Sequence, residues 1–251
     1  LPMLGLLAAF YLRAATDAKI EGIYYGAFER TQNGLTPVLR LDGLLNIYDW
    51  IRALEQFNKD GDYSSFKTLF NGEGLPGNLL GEAAFLERIS TASMGSQKLN
   101  SAMQQIDKAI KLSPAASIFV PLLIDRTAWR KGGDRAARES ILASDYLNRR
   151  DYLRATQFGY ESRVSAAVWA NKGDPNNFDS REESEKNLYT QDKEKPAEPP
   201  GNFKTLKNLR NALAHGVMNT DRTDKSSQFI QKLTSNETDL QHWLTKTLKN
   251  R

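Results

Sequence analysis

The chain has 251 residues, of which 40% are hydrophobic and 25% charged. That is the balance of a globular protein long enough to bury one large core or two modest ones. It contains no cysteine, which excludes disulfides, thiolate metal sites and thiol catalysis, and the setting this suggests is a reducing cytoplasm. Net charge is +4 but unevenly spread: residues 201–251 hold nine Lys/Arg against four Asp/Glu, a local +5, leaving the rest near neutral at −1. A basic C-terminal stretch suits a polyanion such as RNA, and it equally suits a solvated helical surface.

The opening LPMLGLLAAFYLRAA is strongly apolar. It lacks a basic leading segment, meets Arg13 early and is shorter than the roughly 20 apolar residues of a membrane span. It therefore reads as a buried helix over Pro2–Ala15, with proline tolerated in the first turn. IEGIYYGAFE, dense in β-branched and aromatic residues, predicts a strand over Ile20–Glu29 in which Tyr24, Tyr25 and Phe28 pack. Beyond Asn33-Gly34, TPVLRL predicts a second strand over Thr36–Leu41. A helix followed by two strands makes a poor domain alone, so residues 1–41 are expected to be the end of an α/β sheet whose first part is missing.

From Asp42 the texture turns helical. Asp42 is placed to cap LLNIYDWIRALEQFNK, whose Leu45, Tyr48, Ile51 or Arg52, and Leu54 or Glu55 follow a 3–4 spacing. Asp60-Gly61-Asp62 ends that run. NGEGLPGN reads as a flexible loop, since it lacks the Gly-Lys-Ser/Thr ending of a phosphate cradle. One long helical stretch is expected from about Glu82 to Leu112, then helices near 117–130, 135–149 and 151–171. The polar, charge-mixed segment 171–202 has little apolar surface to offset the entropy of ordering it, and predicts a mobile insertion. Two helices follow, Phe203–His215 and about Ser226–Lys249; the second carries Phe229, Leu233, Leu240, Trp243, Leu244 and Leu248 on one apolar face.

The chemistry concentrates in FKTLKNLRNALAHG. Phe203, Leu206, Leu209 and Leu213 form a buried stripe, and Gly216 is a natural helix stop. Arg210 and His215 lie about 140° and 7–8 Å apart on an ideal helix. Histidine titrates near neutrality and guanidinium presents a planar fork to phosphate oxygens. Together they suit attack of an RNA 2′-hydroxyl on its own phosphate, a reaction that needs no metal. The sequence has no HExxH, paired histidines or carboxylate cluster at metal-ligand spacing. Asn211, next to the arginine, is able to orient such a site. A histidine placed at a helix C-terminus simply because positive charge is favoured there remains the alternative. His242 reads as a surface or packing residue. Tyr152, Tyr160 and Arg163 read as helical core or ordinary surface, with a groove beside the Arg210 helix as their other placement.

The string RNALAHG resembles the signature of HEPN ribonucleases, an arginine followed by four to six residues and a histidine, commonly with asparagine after the arginine. The N-terminal LPMLGLLAAFYLRAA, IEGIYYGAFE and TPVLRLDGLLNIYDWIRALEQFNKDGD resemble the end of a CARF sensor and its junction to a helical domain, as in CRISPR-associated CARF–HEPN proteins of type III systems. The resemblance implies a mainly α fold, with a HEPN helical bundle over 42–251 preceded by a Rossmann-like remnant over 1–41. It implies a cytoplasmic homodimer in which Arg210, Asn211 and His215 of both chains form one site for single-stranded RNA, leaving 2′,3′-cyclic phosphate and 5′-hydroxyl ends. It also implies activation by cyclic oligoadenylate, with no other cofactor and no membrane. This chain departs from the pattern in lacking the earlier sensor strands, so the activator belongs to an intact sensor. A non-catalytic RNA-binding or scaffold module, or a toxin-type nuclease of the same fold, are the competing readings.

Overall fold

The computed structural model describes residues 2–16, 18–107, 112–193, 195–197, 199, 201–216 and 225–249. The opening apolar run forms α1 (Pro2–Ala15), as its composition predicts. The expectation that it is buried is corrected. Among the described side chains of α1 only Ala9 is buried, while Met3, Leu4, Leu7 and Tyr11, which helical spacing puts on one face, are exposed. Its opposite side is fastened to α2 (Gly43–Asp60) by Phe10 stacked on Tyr48 at 4.8 Å and by Arg13 forking onto Asp49 at 2.8 and 2.5 Å.

The two expected strands shrink to β1 (Tyr24–Gly26) and β2 (Val38–Arg40), an antiparallel pair with Tyr25 opposite Leu39. No further strand joins them among the described residues. Phe28–Arg30 is a 3-10 turn rather than the end of β1, and Tyr24 and Phe28 are exposed rather than packed. Asp42 precedes α2 but does not cap it. Its carboxylate accepts the Ile23 N–H at 3.0 Å and pairs with Arg40, tying the hairpin to the start of the helix.

Leu45 is buried as expected and Leu54 packs at the margin of the core, but the other buried residues of α2 are Trp50, Ala53 and Phe57, with Ile51 exposed, so the centre of the stripe lies one position before the expected one. Trp50 anchors an aromatic cluster with Phe66, Phe70 and Phe119, at ring separations of 5.8, 5.4 and 5.8 Å. Aromatic pairs at such distances add to their area burial. From there one apolar core continues to Leu244.

NGEGLPGN contracts to a four-residue connection between α3 (Lys67–Gly72) and α4 (Gly77–Arg88). The expected long helix is two, α4 and α5 (Ala92–Asp107), divided at Ser90, whose φ of 62° no α-helix continues through. The end of the expected stretch, at 108–111, lies outside the described residues. α6 (Pro114–Arg126), α7 (Arg135–Asn148) and α8 (Tyr152–Ala170) stand near their expected positions. Each starts on a side-chain cap: Ser113, Asp134 and Asp151 accept the N–H groups of Ala116, Ala137 and Arg154.

The mobile insertion expected over 171–202 is corrected most clearly. Its centre is α9 (Phe178–Asp192), capped by Asn177 and laid against α8 and α10 (Phe203–His215). The final helical stretch is split into α11 (Lys225–Ser235) and α12 (Glu237–Lys249) by Asn236, whose side chain accepts the N–H groups of Thr238 and Asp239. α12 closes on α8 so tightly that a Cβ on Gly159 would lie 2.4 Å from Leu248. No helix among the described residues is long and apolar enough to cross a membrane.

Candidate active site

Helix α10 is an amphipathic rod with a fixed start and a fixed end. Phe203, Leu206, Leu209 and Ala212 are buried, and Leu213 packs at the margin of the core. Asn202 Oδ1 accepts the Thr205 N–H at 2.9 Å, and Asp192, the last residue of α9, accepts the Phe203 N–H at 2.6 Å. At the far end Gly216 takes φ +63°, the left-handed conformation that glycine tolerates, and its N–H bonds the Ala212 carbonyl at 2.9 Å.

His215 occupies the last turn of α10 and is exposed. Asn211 is half-buried and makes no side-chain hydrogen bond among the described residues. Arg210 is half-buried and leans toward α8, where its guanidinium lies over the Tyr160 ring at 4.4 Å. Its Nη1 donates a long hydrogen bond to Gln157 Oε1 at 3.5 Å, and its buried Nε has no partner. The structure therefore puts all three residues on one helix end but does not bring Arg210 and His215 into contact. No hydrogen bond joins them among the described residues.

Arg210 borders an open groove of about 210 Å³ lined by Tyr160, Glu161, Phe178, Arg181, Glu182 and Glu185. The walls of this groove are set by a chain of polar contacts running from α7 to α10. Arg135 Nε donates to Glu139 Oε1 at 2.7 Å, and the buried Ser165 hydroxyl donates to the other Glu139 oxygen at 2.7 Å. Arg181 Nη1 donates to that Ser165 oxygen at 3.0 Å and to the Pro175 carbonyl at 3.1 Å, while its Nη2 pairs with Glu161. Gln157 Nε2 then donates to Glu161 Oε1 at 2.8 Å, and its oxygen receives Arg210. Burial pushes the Glu161 carboxyl up, with Arg181 opposing.

A second line of contacts meets Arg210 from α9. Lys207 Nζ pairs with Glu185 at 2.5 Å and lies 5.1 Å from the Tyr189 ring. Burial alone would raise the Glu185 carboxyl, but Lys207, the Tyr160 hydroxyl and Arg210 hold it below the usual carboxylate range. Burial and the facing Glu185 carboxylate push the Tyr160 phenol well up. Tyr160 itself is buried and stacked on Phe203 at 5.4 Å.

Tyr160 thus takes both placements left open by sequence: it is core, and it floors the groove beside Arg210. Tyr152 and Arg163 do not line it. The Tyr152 hydroxyl donates to Glu237 at 2.7 Å, and Arg163 Nη2 donates to the Gly201 carbonyl at 2.6 Å. His242 is an exposed residue of α12. Sequence reasoning missed Gln157, Glu161, Arg181 and Glu185. The i, i+4 pair Gln157–Glu161 was the available local signal, but its partners come from a helix read as disordered. Among the described residues no group of three or more His, Cys, Asp or Glu is disposed to hold a metal ion.

The sequence matches no protein-family description, and no curated protein matches it significantly.

Proposed function

We propose that the chain is the ribonuclease portion of a CARF–HEPN protein, cleaving single-stranded RNA by attack of the 2′-hydroxyl on the adjacent phosphate. The observation that carries this reading is the exposed His215 on the last turn of α10, on the same helix as a groove-lining Arg210 that is hydrogen-bonded once. In the proposed reaction His215 moves a proton to or from the sugar or leaving oxygen. Arg210 faces the negative charge that grows on the phosphorus oxygens, and Asn211 orients the phosphate. Because the two principal residues do not touch within one chain, the site is completed by the α10 end of a second copy. Cyclic oligoadenylate acts only where an intact sensor precedes this segment.

The expected outcome is that His215→Ala and Arg210→Ala each lower cleavage of single-stranded RNA by about 10²–10⁴-fold. Wild-type activity persists in EDTA, and the products carry 2′,3′-cyclic phosphate ends. Full activity in both variants, or cleavage abolished by chelator, would overturn the reading. The absence of a contact between Arg210 and His215 within one chain favours one competitor, a module that binds RNA without cleaving it. It is distinguished by wild-type protein that retains single-stranded RNA yet yields no product.

A further inference from the structure

The polar chain behind Arg210 has a purpose under the nuclease reading, on which this inference rests. We infer that Tyr160 and Gln157 are positioning residues that hold the Arg210 guanidinium with its free edge toward the groove. Three observations converge on the same group. The Tyr160 face lies 4.4 Å from the guanidinium carbon, a cation–π distance. Gln157 takes one Nη1 hydrogen and is itself held at its other end by Glu161, which Arg181 fixes in turn. The Nε is buried against these groups without a partner, so the plane of the fork is set by packing and not by solvent.

An arginine held this way presents its remaining Nη hydrogens in one orientation before any phosphate arrives. Preorganised donors of this kind assist a developing charge without reorganising at the moment of reaction. A free surface arginine would have to give up most of its rotamer freedom first. Neither Tyr160 nor Gln157 touches the reacting atoms; each acts through Arg210.

The test uses the full chain and two independent readouts. The first is the Arg210 Nε–H signal in 15N NMR, assigned by its loss in Arg210→Lys. In the wild type it is expected to exchange slowly with water and to be shifted by the Tyr160 ring. Tyr160→Phe, which keeps the ring, retains both properties; Tyr160→Leu removes the ring shift. Gln157→Met, at a half-buried position, speeds the exchange and guards against a Tyr160→Leu protein that fails to fold.

The second readout is single-turnover RNA cleavage. Tyr160→Leu and Gln157→Met are expected to lower kcat at least tenfold with KM changed less than twofold, while Tyr160→Phe stays within threefold of wild type. An Nε–H that exchanges as fast as that of free arginine overturns the inference. So does active RNA cleavage that Gln157→Met and Tyr160→Leu leave intact, and in that case the nuclease reading survives. A protein with an ordered Arg210 signal and no cleavage under any condition overturns both.

Discussion

Helix α1 carries Met3, Leu4, Leu7 and Tyr11 exposed on one face and is fastened to α2 by a ring stack and one ion pair. Helix α9 has only Ser184 and Asp192 buried, yet it is tied down along its length. Arg181 reaches Ser165, Pro175 and Glu161; Glu185 meets Lys207; Asp192 takes the first N–H of α10. The apolar helix is the loosely covered one and the polar helix the firmly anchored one. Composition sets what a segment could bury, but neighbours decide what it does bury. Partner groups on α8 and α10 turn the charges of α9 from a reason for disorder into its attachment.

The sharpest way to break this comparison is to remove the anchor. Arg181→Met leaves Glu161, whose carboxyl burial already pushes up, without its guanidinium partner, while Glu139 keeps Arg135. Removing one member of a fully buried ion pair costs about 3–5 kcal/mol, and this pair is 17% and 16% exposed, so a drop in urea-unfolding stability approaching that size is expected, with amide exchange across α9 rising first. If α9 stayed protected in that variant, polar anchoring would not be what holds it.

A buried carboxylate elsewhere sharpens the same point through pH. Glu87 is buried between α4 and α7, receives the Tyr146 hydroxyl at 2.5 Å, and leaves its second oxygen without a partner. Burial pushes this carboxyl up to about 7, opposed by Tyr146, Tyr63, Arg149 and Arg154. The folded state therefore keeps a proton that the unfolded chain releases at lower pH. The stability from that proton is complete below the ordinary carboxylate value, declines as pH rises toward 7 and is lost above it. The span corresponds to about 3 kcal/mol. Glu87→Gln is expected to flatten the decline and to exceed wild type in stability at pH 8, as urea midpoints across pH 4–8 would show. A wild type and variant with parallel pH profiles would remove this account.

What the sequence disclosed follows from how local each signal is. The bounds of α10 were legible to the residue, because its stripe and its stop at Gly216 lie within fourteen positions of chain; its cap at Asn202, which fell in the segment expected to be mobile, was not. The divisions at Ser90 and Asn236 were not, since each interrupts a helical pattern that continues on both sides. α9 was illegible for a different reason: its stabilising partners, Ser165, Glu161 and Lys207, lie on other helices. For the site, the ends of α10 were readable as Arg210, Asn211 and His215, but the direction in which Arg210 points was not. That direction depends on Tyr160 and Gln157, some fifty residues earlier.

A smaller effect is expected at the joint between α9 and α10. Asn202 both accepts the Thr205 N–H and donates to the Pro196 carbonyl at 2.9 Å. Asn202→Ala should cost about 1 kcal/mol, the usual loss for a side-chain cap. Asp192 still holds the Phe203 N–H in that variant, so the start of α10 loosens without unwinding. A loss of several kcal/mol would mean that the cap supports the whole α9–α10 corner.

The smallest effect is expected where α1 meets α2. Arg13 and Asp49 form a two-pronged pair with the same chemistry as Arg181–Glu161, but their side chains are 40% and 24% exposed against 17% and 16%. Water already solvates the exposed charges, so little is lost when one partner goes, and Asp49 is not stranded as Glu161 would be. Arg13→Met is expected to change global stability by less than about 1 kcal/mol, an effect that shrinks further in high salt. Paired with Arg181→Met in one urea series, it sets an exposed arginine–carboxylate pair against a half-buried one that also holds Ser165 and Pro175, and a several-fold difference in cost is expected. Equal costs would mean that α1 is bound into the fold far more firmly than its exposed face suggests.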